Sequence, residues 1–148
     1  MDTPESRESV LEKEFFLPLR VYIEDTDAGG IVFYCNYLKY MERARTELFR
    51  VLGFPKPATI ADGLLLVVAS ANVKYLVPAK LDDELKVTAD VRKLARTYLI
   101  IKQKVFRDSI CLCEAEIKVA CVDREKLKPR ALPDGVKSAF KHYMGSTF

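Results

Sequence analysis

From Leu64 onward the chain turns almost wholly to β-type patterning, and this run limits the possible folds more than any other feature. Residues 64–79 (LLLVVASANVKYLVPA), 84–94 (ELKVTADVRKL), 97–107 (TYLIIKQKVFR) and 110–123 (ICLCEAEIKVACVD) are each rich in β-branched or aromatic side chains. Breakers such as Pro78, LDDE and RDS separate them. Connections this short make hairpins, so the sheet is expected to be largely antiparallel. Residues 15–25 (FFLPLRVYIED) add another strand, with Leu19, Val21 and Ile23 alternating against Arg20, Tyr22 and Glu24.

Only one segment reads as a long helix. Tyr37, Tyr40, Met41, Ala44, Leu48, Val51 and Leu52 fall at helical spacing, with Lys39, Glu42, Arg43, Glu47 and Arg50 mostly on the other side. Asn36 is placed to be its N-cap and Gly53 to stop it. One long helix beside such a sheet predicts an α+β fold in which the helix covers one face. Residues 136–148 read as a short helix or a frayed tail, and there is no internal repeat.

The chain has 148 residues, 49% of them hydrophobic, enough for one core and too few for two ordinary domains. We therefore expect a single domain over 1–148, with a polar leader at 1–14 and a C-terminal tail at 134–148. The longest apolar run, GLLLVVASA at 63–71, falls well short of the roughly 20 residues of a membrane helix. The leader lacks the basic start and apolar segment of a secretory signal, so a cytoplasmic protein is expected. In that reducing setting Cys35, Cys111, Cys113 and Cys121 read as buried small hydrophobes. His142 is the sole histidine and no C-x-x-C pair occurs, which leaves a zinc site without ligands. The 24 basic and 21 acidic residues are interspersed, unlike the one-signed field of a nucleic-acid binder. The local exception is DREKLKPR at 123–130, with Arg124, Lys126, Lys128 and Arg130: a solvated loop or a phosphate-binding rim.

The stretch EDTDAGGIVFYCNY, 24–37, is chemically the densest. As a calcium loop from Asp25 it fails, with Gly29 at the fifth position and Asn36 at the twelfth where a Glu is needed. Neither glycine-rich phosphate motif is present. Two readings remain. One is a strand-to-helix turn in which Asp25 or Asp27 binds backbone amides while Gly29 and Gly30 supply positive φ. The other is catalytic: a helix N-terminus holds a developing oxyanion, a carboxylate acts as nucleophile or general base, and glycine lets an acyl group come close.

VYIEDTDAGGIVFYCNYLKYMERARTELF resembles the signature of the hotdog-fold acyl-CoA thioesterases of the YbgC type, associated with the Tol-Pal cell-envelope system, and of the related 4-hydroxybenzoyl-CoA thioesterases. The shared core is D-x-D-x-x-G-[IV]-V followed by an aromatic or His segment and N-Y, matched here from Asp25 to Tyr37. VKYLVPAKLDDEL (73–85) and VACVDREKLKPRALP (119–133) resemble two later motifs, so the likeness spans roughly 15–133. It implies a hotdog fold: one long central helix wrapped by a curved antiparallel sheet. It also implies a homodimer, commonly paired into a tetramer, with active sites at the dimer interface.

Carried over by position, Asp27 is the catalytic carboxylate and the Tyr34 N–H polarises the thioester carbonyl. Gly30 permits close approach, and Asn36 and Tyr37 shape the pocket and helix start. Arg124, Lys126, Lys128 and Arg130 become the expected rim for the phosphates of coenzyme A, which is part of the substrate. No metal or separate cofactor is implied. Tyr34 resembles the hydroxybenzoyl-CoA branch, because YbgC-type members often carry His in this segment, whereas MERARTELF resembles the YbgC branch. The expected reaction is hydrolysis of a fatty or aromatic acyl-CoA, with acyl carrier protein as a possible alternative carrier. The rivals are an acyl-thioester hydratase or dehydratase, which would want a better-placed histidine than His142, and a non-catalytic acyl-CoA-binding or envelope-assembly partner.

Overall fold

The computed structural model describes residues 15–56 and 60–146; the leader expected at 1–14 lies outside them. Six strands form one antiparallel sheet: β1 (Phe16–Arg20), β2 (Leu64–Tyr75), β3 (Glu84–Thr88), β4 (Asp90–Leu94), β5 (Tyr98–Arg107) and β6 (Ile110–Asp123). Their spatial order is β1-β3-β5-β6-β2, with β4 pairing alongside β5. Two helices accompany them, α1 (Asn36–Val51) and α2 (Asp134–Ser146).

Period-2 alternation sets the buried face. On β5, Leu99, Ile101, Gln103 and Val105 point inward, and on β6 Cys113, Ala115, Ile117, Val119 and Cys121 do the same. Helix α1 packs on this face against β1, β3 and β5, burying Tyr37, Tyr40, Met41, Ala44, Leu48 and Phe49. The expected stripe is thus largely correct, but Val51 is exposed, whereas Arg45 is buried and gives a 2.8 Å bond to the Gln103 side-chain oxygen. Gln103 is itself held by the Met41 and Thr88 carbonyls, so the polar group inside the core is satisfied.

The helix stops as expected at Gly53. Its φ of 102° is left-handed, and the bonds from the Phe54 amide to Phe49 and from the Gly53 amide to Arg50 make a Schellman closure.

Several expected boundaries move. The strand expected over 15–25 ends at Arg20 and gives way to a 3-10 turn at Ile23–Asp25, leaving Ile23 exposed, because the Asp25 carboxylate takes the Tyr22 amide at 2.9 Å and curls the chain. The run expected over 84–94 splits at buried Ala89 into β3 and β4, and a register shift between Val91 and Lys93 bends β4 along β5. Residues 134–146 are not a frayed tail: α2 sends Val136 and Phe140 into the core, where the Phe140 ring meets Phe49 edge-on at 5.2 Å. Cys113 and Cys121 are buried, Cys111 is half-buried, and Cys35 is exposed because it sits at the entry to α1.

Candidate active site

The Asp25–Tyr37 stretch forms a tight loop between the 3-10 turn and α1. The Asp27 amide donates to the Ile31 carbonyl and the Gly30 amide to the Asp27 carbonyl, closing a small turn over 27–31. Only Gly30, at φ 77°, uses the left-handed region, so of the two glycines expected there one needs to be glycine on backbone grounds. A Cβ at Gly30 would meet nothing within 4 Å, which leaves the space beside it open. Asp27 is exposed, and its Oδ1 accepts the Gly29 amide at 2.9 Å.

Asp25 braces the loop from below. Its carbonyl accepts both the Phe33 amide and the Asn36 side-chain amide, at 3.0 and 2.8 Å. Asn36 is therefore not the N-cap: it is the first residue of α1, and its buried side chain reaches back into the loop while Cys35 occupies the cap position. Between Phe33 and Asn36, whose amides are both engaged, the Tyr34 amide has no hydrogen-bond acceptor among the described residues. An N–H left open at the start of a helix, beside the positive end of its dipole, is a ready oxyanion donor.

Tyr37 is a strut. Its hydroxyl accepts the Ala79 amide at 2.9 Å, and burial, though countered by that bond, pushes its pKa up. Aromatic rings continue outward: Tyr75 packs 5.6 Å from Tyr37 and edge-on at 6.0 Å from Tyr34, which meets the Phe33 ring at a tilt with centroids 4.8 Å apart. Phe33, Tyr34 and Tyr75 are all about half exposed, so an apolar shelf borders the loop. One side-chain atom stays unsatisfied: among the described residues the buried Tyr40 hydroxyl has no hydrogen-bond partner, and burial, then the neighbouring Asp25 carboxylate, raises its pKa.

Asp27, Gly30, Tyr34, Asn36 and Tyr37 thus come together. The basic four do not join them within one chain. The β2–β6 ladder pairs Tyr75 with Cys113 at one end and Leu64 with Asp123 at the other. The Asp27 loop stands at the Tyr75 end, whereas Arg124, Lys126, Lys128 and Arg130 follow Asp123, roughly 35 Å away along the strands. His142 lies on α2, two residues past Phe140, which packs at the far end of α1.

The sequence marks a turn after Pro78, at 78–83, within a motif that resembles the family's P-A-x-x-x-D turn, but not its role as a support for the Asp27 loop. This turn receives the Val32 amide on the Ala79 carbonyl, gives the Leu81 amide to Gly30, and is tied by Asp83 to Arg107. The turn itself reads equally well as an ordinary connection between strands, so nothing local in the sequence points to that support. Among the described residues no three His, Cys, Asp or Glu side chains are grouped to hold a metal ion, and no helix is long and apolar enough to cross a membrane.

A model of the thioesterase-like superfamily matches residues 21–140. The chain is 43% identical over 134 residues to the acyl-CoA thioesterase YbgC of Haemophilus influenzae, covering 90% of this chain and 98% of that protein. It is 42% identical over 128 residues to the acyl-CoA thioester hydrolase YbgC of Escherichia coli O6:H1, covering 86% and 96%. Among solved structures, a probable thioesterase from Bartonella henselae superposes with a TM-score of 0.75 at 30% identity, over 81% of this chain and 99% of that one. With the helix-on-sheet architecture and the Asp25–Tyr37 loop, these likenesses establish that the chain belongs to the thioesterase-like superfamily and is a hotdog-fold thioester hydrolase.

Proposed function

We propose that the chain hydrolyses the thioester of a fatty or aromatic acyl-CoA, with Asp27 as the catalytic carboxylate. The observation that carries this is the loop itself: an exposed carboxylate and an acceptor-free Tyr34 amide at the head of α1. Asp27 attacks the carbonyl carbon, or takes a proton from the water that does. The Tyr34 N–H and the helix dipole hold the oxygen as it gains charge. The C–S bond then breaks, the thiolate of coenzyme A leaves and is protonated, and water supplies the oxygen of the free acid. This scheme calls for no metal or redox cofactor, because the helix end provides the polarisation. An acyl carrier protein could present the same thioester. Apolar acyl groups suit the shelf of Phe33, Tyr34 and Tyr75.

The active unit in this proposal is a homodimer, alone or paired into a homotetramer. Strand β2 is one of the two outer strands of the order β1-β3-β5-β6-β2 and the longer of them, with Val67 and Val68 exposed, and an unpaired edge of this kind is a template for another strand. Two β2 edges meeting antiparallel about a two-fold axis set the Leu64 end of each beside the Tyr75 end of the other. That pairing brings Arg124, Lys126, Lys128 and Arg130 of the partner subunit toward the Asp27 loop, where the phosphates of coenzyme A need cations. The cytoplasm, where coenzyme A thioesters are made and thiols stay reduced, is the proposed location.

The test is release of free thiol from short, medium, long and aromatic acyl-CoA thioesters by the wild type and Asp27→Asn, with sedimentation to give the oligomer. Turnover abolished by the substitution is the expected result. Near-wild-type hydrolysis by Asp27→Asn would remove Asp27 from the mechanism.

A further inference from the structure

The half-buried ion pair at the base of the Asp27 loop lies outside the chemistry proposed above, yet it grips the segment on which that loop rests. Arg107, the last residue of β5, sends one guanidinium nitrogen to the Asp83 carboxylate at 2.7 Å and to the Pro78 carbonyl at 3.4 Å. The same Asp83 oxygen accepts the Lys80 amide at 2.8 Å, and the Asp83 amide returns to the Lys80 carbonyl at 3.1 Å. Arg107 and Asp83 together therefore fasten both ends of the 78–83 turn. At its crest Asp82 sits at φ 69°, a conformation that Asp tolerates better than most residues.

The turn in turn holds the loop by three bonds. The Val32 amide donates to Ala79 at 2.8 Å, the Leu81 amide to Gly30 at 3.0 Å, and the Ala79 amide to the Tyr37 hydroxyl at 2.9 Å. Gly30 and Val32 flank Ile31, whose carbonyl takes the Asp27 amide at 2.9 Å. Beside the loop's own turns and its Asp25–Asn36 brace, the 78–83 turn supplies a tertiary hold. Further supports of the turn come from the end of β1, where Val21 exchanges backbone bonds with Asp82 and Asp83 and Arg20 donates to the Asp82 carbonyl, and from β6, where the Leu112 carbonyl takes the Leu76 and Val77 amides just before the turn. Among the described residues none of these engages the Pro78 carbonyl, which Arg107 reaches from β5.

We propose that Arg107, acting through Asp83 and the 78–83 turn, is a positioning residue that holds the Asp27 loop in its reactive conformation. The inference rests on Asp27 as the catalytic carboxylate. Losing the clamp leaves the fold intact, because neither Arg107 nor Asp83 is part of the buried core, but it lets the loop ride on a looser base. A small misplacement of a reacting group costs rate far more than it costs binding.

The test compares the full-length wild type with Arg107→Gln, Arg107→Lys, Asp83→Asn and the Gln/Asn double variant. The control is Arg92→Gln, which breaks the exposed Arg92–Asp90 pair on β4. Two readouts are taken: kcat and KM on the acyl-CoA that the wild type hydrolyses best, and residue-resolved amide hydrogen exchange. Arg107→Gln and Asp83→Asn are each expected to lower kcat about tenfold with KM within about twofold, and the double variant no further. Arg107→Lys, which keeps one charged bond, recovers much of the loss. Exchange at the Asp27 and Val32 amides rises about tenfold while that at Ile101 and Ile117 in the sheet holds, because only local opening is affected.

Unchanged exchange at Asp27 and Val32, or an equal rise throughout the sheet, would overturn the inference, as would a wild-type kcat in Arg107→Gln. If Asp27→Asn is inactive and Arg107→Gln keeps the wild-type kcat, the positioning role alone fails. If the wild type releases no thiol, the proposed function fails, and the exchange pattern still decides whether Arg107 orders the loop.

Discussion

The two ends of the β2–β6 ladder are each closed by a loop that a single aspartate organises, and the two differ in how far that aspartate reaches. At the Asp27 end, Asp83 caps its own turn through the Lys80 amide and also reaches across to Arg107 on another strand. At the basic end, Asp123 turns back on its own loop, accepting the Lys126 amide at 2.6 Å and the Lys128 amide at 3.3 Å while Leu127 takes a φ of 57°. The first loop is held by tertiary contacts and presents a carboxylate, aromatic rings and an open amide. The second is self-capped and presents four exposed cations. Chemistry that needs a fixed geometry belongs on the first kind of support. Attraction of a phosphate needs only charge on a surface, and the second kind suffices.

The largest effect separating the two ends is expected at Asp27. Asparagine keeps the size of the side chain and can still accept the Gly29 amide, so the loop survives while the charge is lost. We expect kcat to fall about 100-fold or more with KM little changed, since the group acts on the reacting carbonyl. Replacing Arg124, Lys126, Lys128 and Arg130 together by alanine should do the reverse, raising KM for acyl-CoA about tenfold and leaving kcat in place. The increase should shrink at high salt, and it should vanish for a short pantetheine thioester that lacks the nucleotide phosphates. A loss of kcat from the basic loop would erase the division between the ends.

An intermediate effect is expected at Gly30. With nothing near its Cβ position, Gly30→Ala meets no steric clash and is charged only for its φ of 77°. We expect a loss of about 1 kcal/mol of stability, read by urea denaturation, together with a several-fold drop in kcat/KM as the turn under Asp27 relaxes. Equal stability to the wild type would mean that the loop can abandon the left-handed conformation at no cost.

How much of this could be read in the sequence also differs between the ends. The helix and four of the strands were legible because periodicity is a local property, whereas the set Asp27, Gly30, Tyr34, Asn36 and Tyr37 was singled out through the family resemblance of the Asp25–Tyr37 motif. Asn36 was recognised as important and given the wrong job: N-cap preference describes an isolated helix, whereas here the Asp25 carbonyl competes for its side chain. Ile23 followed the β alternation perfectly and is exposed, since the Asp25 carboxylate bends the chain two residues later. The 78–83 turn was invisible as a support, because its partners Val32, Tyr37 and Arg107 are distant in sequence. The separation of the basic loop from Asp27 was hidden for the same reason: only the register of β2 on β6 reveals it.

The smallest expected effect sharpens the contrast between the two aspartates by their pH dependence. For Asp83, burial by itself would raise the pKa, but the Arg107 guanidinium and the Lys80 amide outweigh it and hold the carboxyl below the usual range. For Asp123 the Lys126 amide is the main cause of the same downward shift, helped by the Lys128 amide and Arg130. A carboxyl depressed in the folded state stabilises it fully above the unfolded value, about 3.9, and that contribution is lost as the pH falls through the lower folded value. Thermal unfolding followed from pH 7 downward should therefore show Asp123→Asn slightly less stable than the wild type at neutrality, the gap closing below about pH 4. Asp83→Asn should show a larger gap that closes over the same acid range, because its partner is a half-buried guanidinium left without its carboxylate. In both variants the sign is fixed by the direction of the shift, but only Asp83→Asn should also free the Asp27 and Val32 amides. If Asp123→Asn loosened those amides as well, the two ends would be mechanically coupled through the ladder, and the basic loop would be part of the support for catalysis.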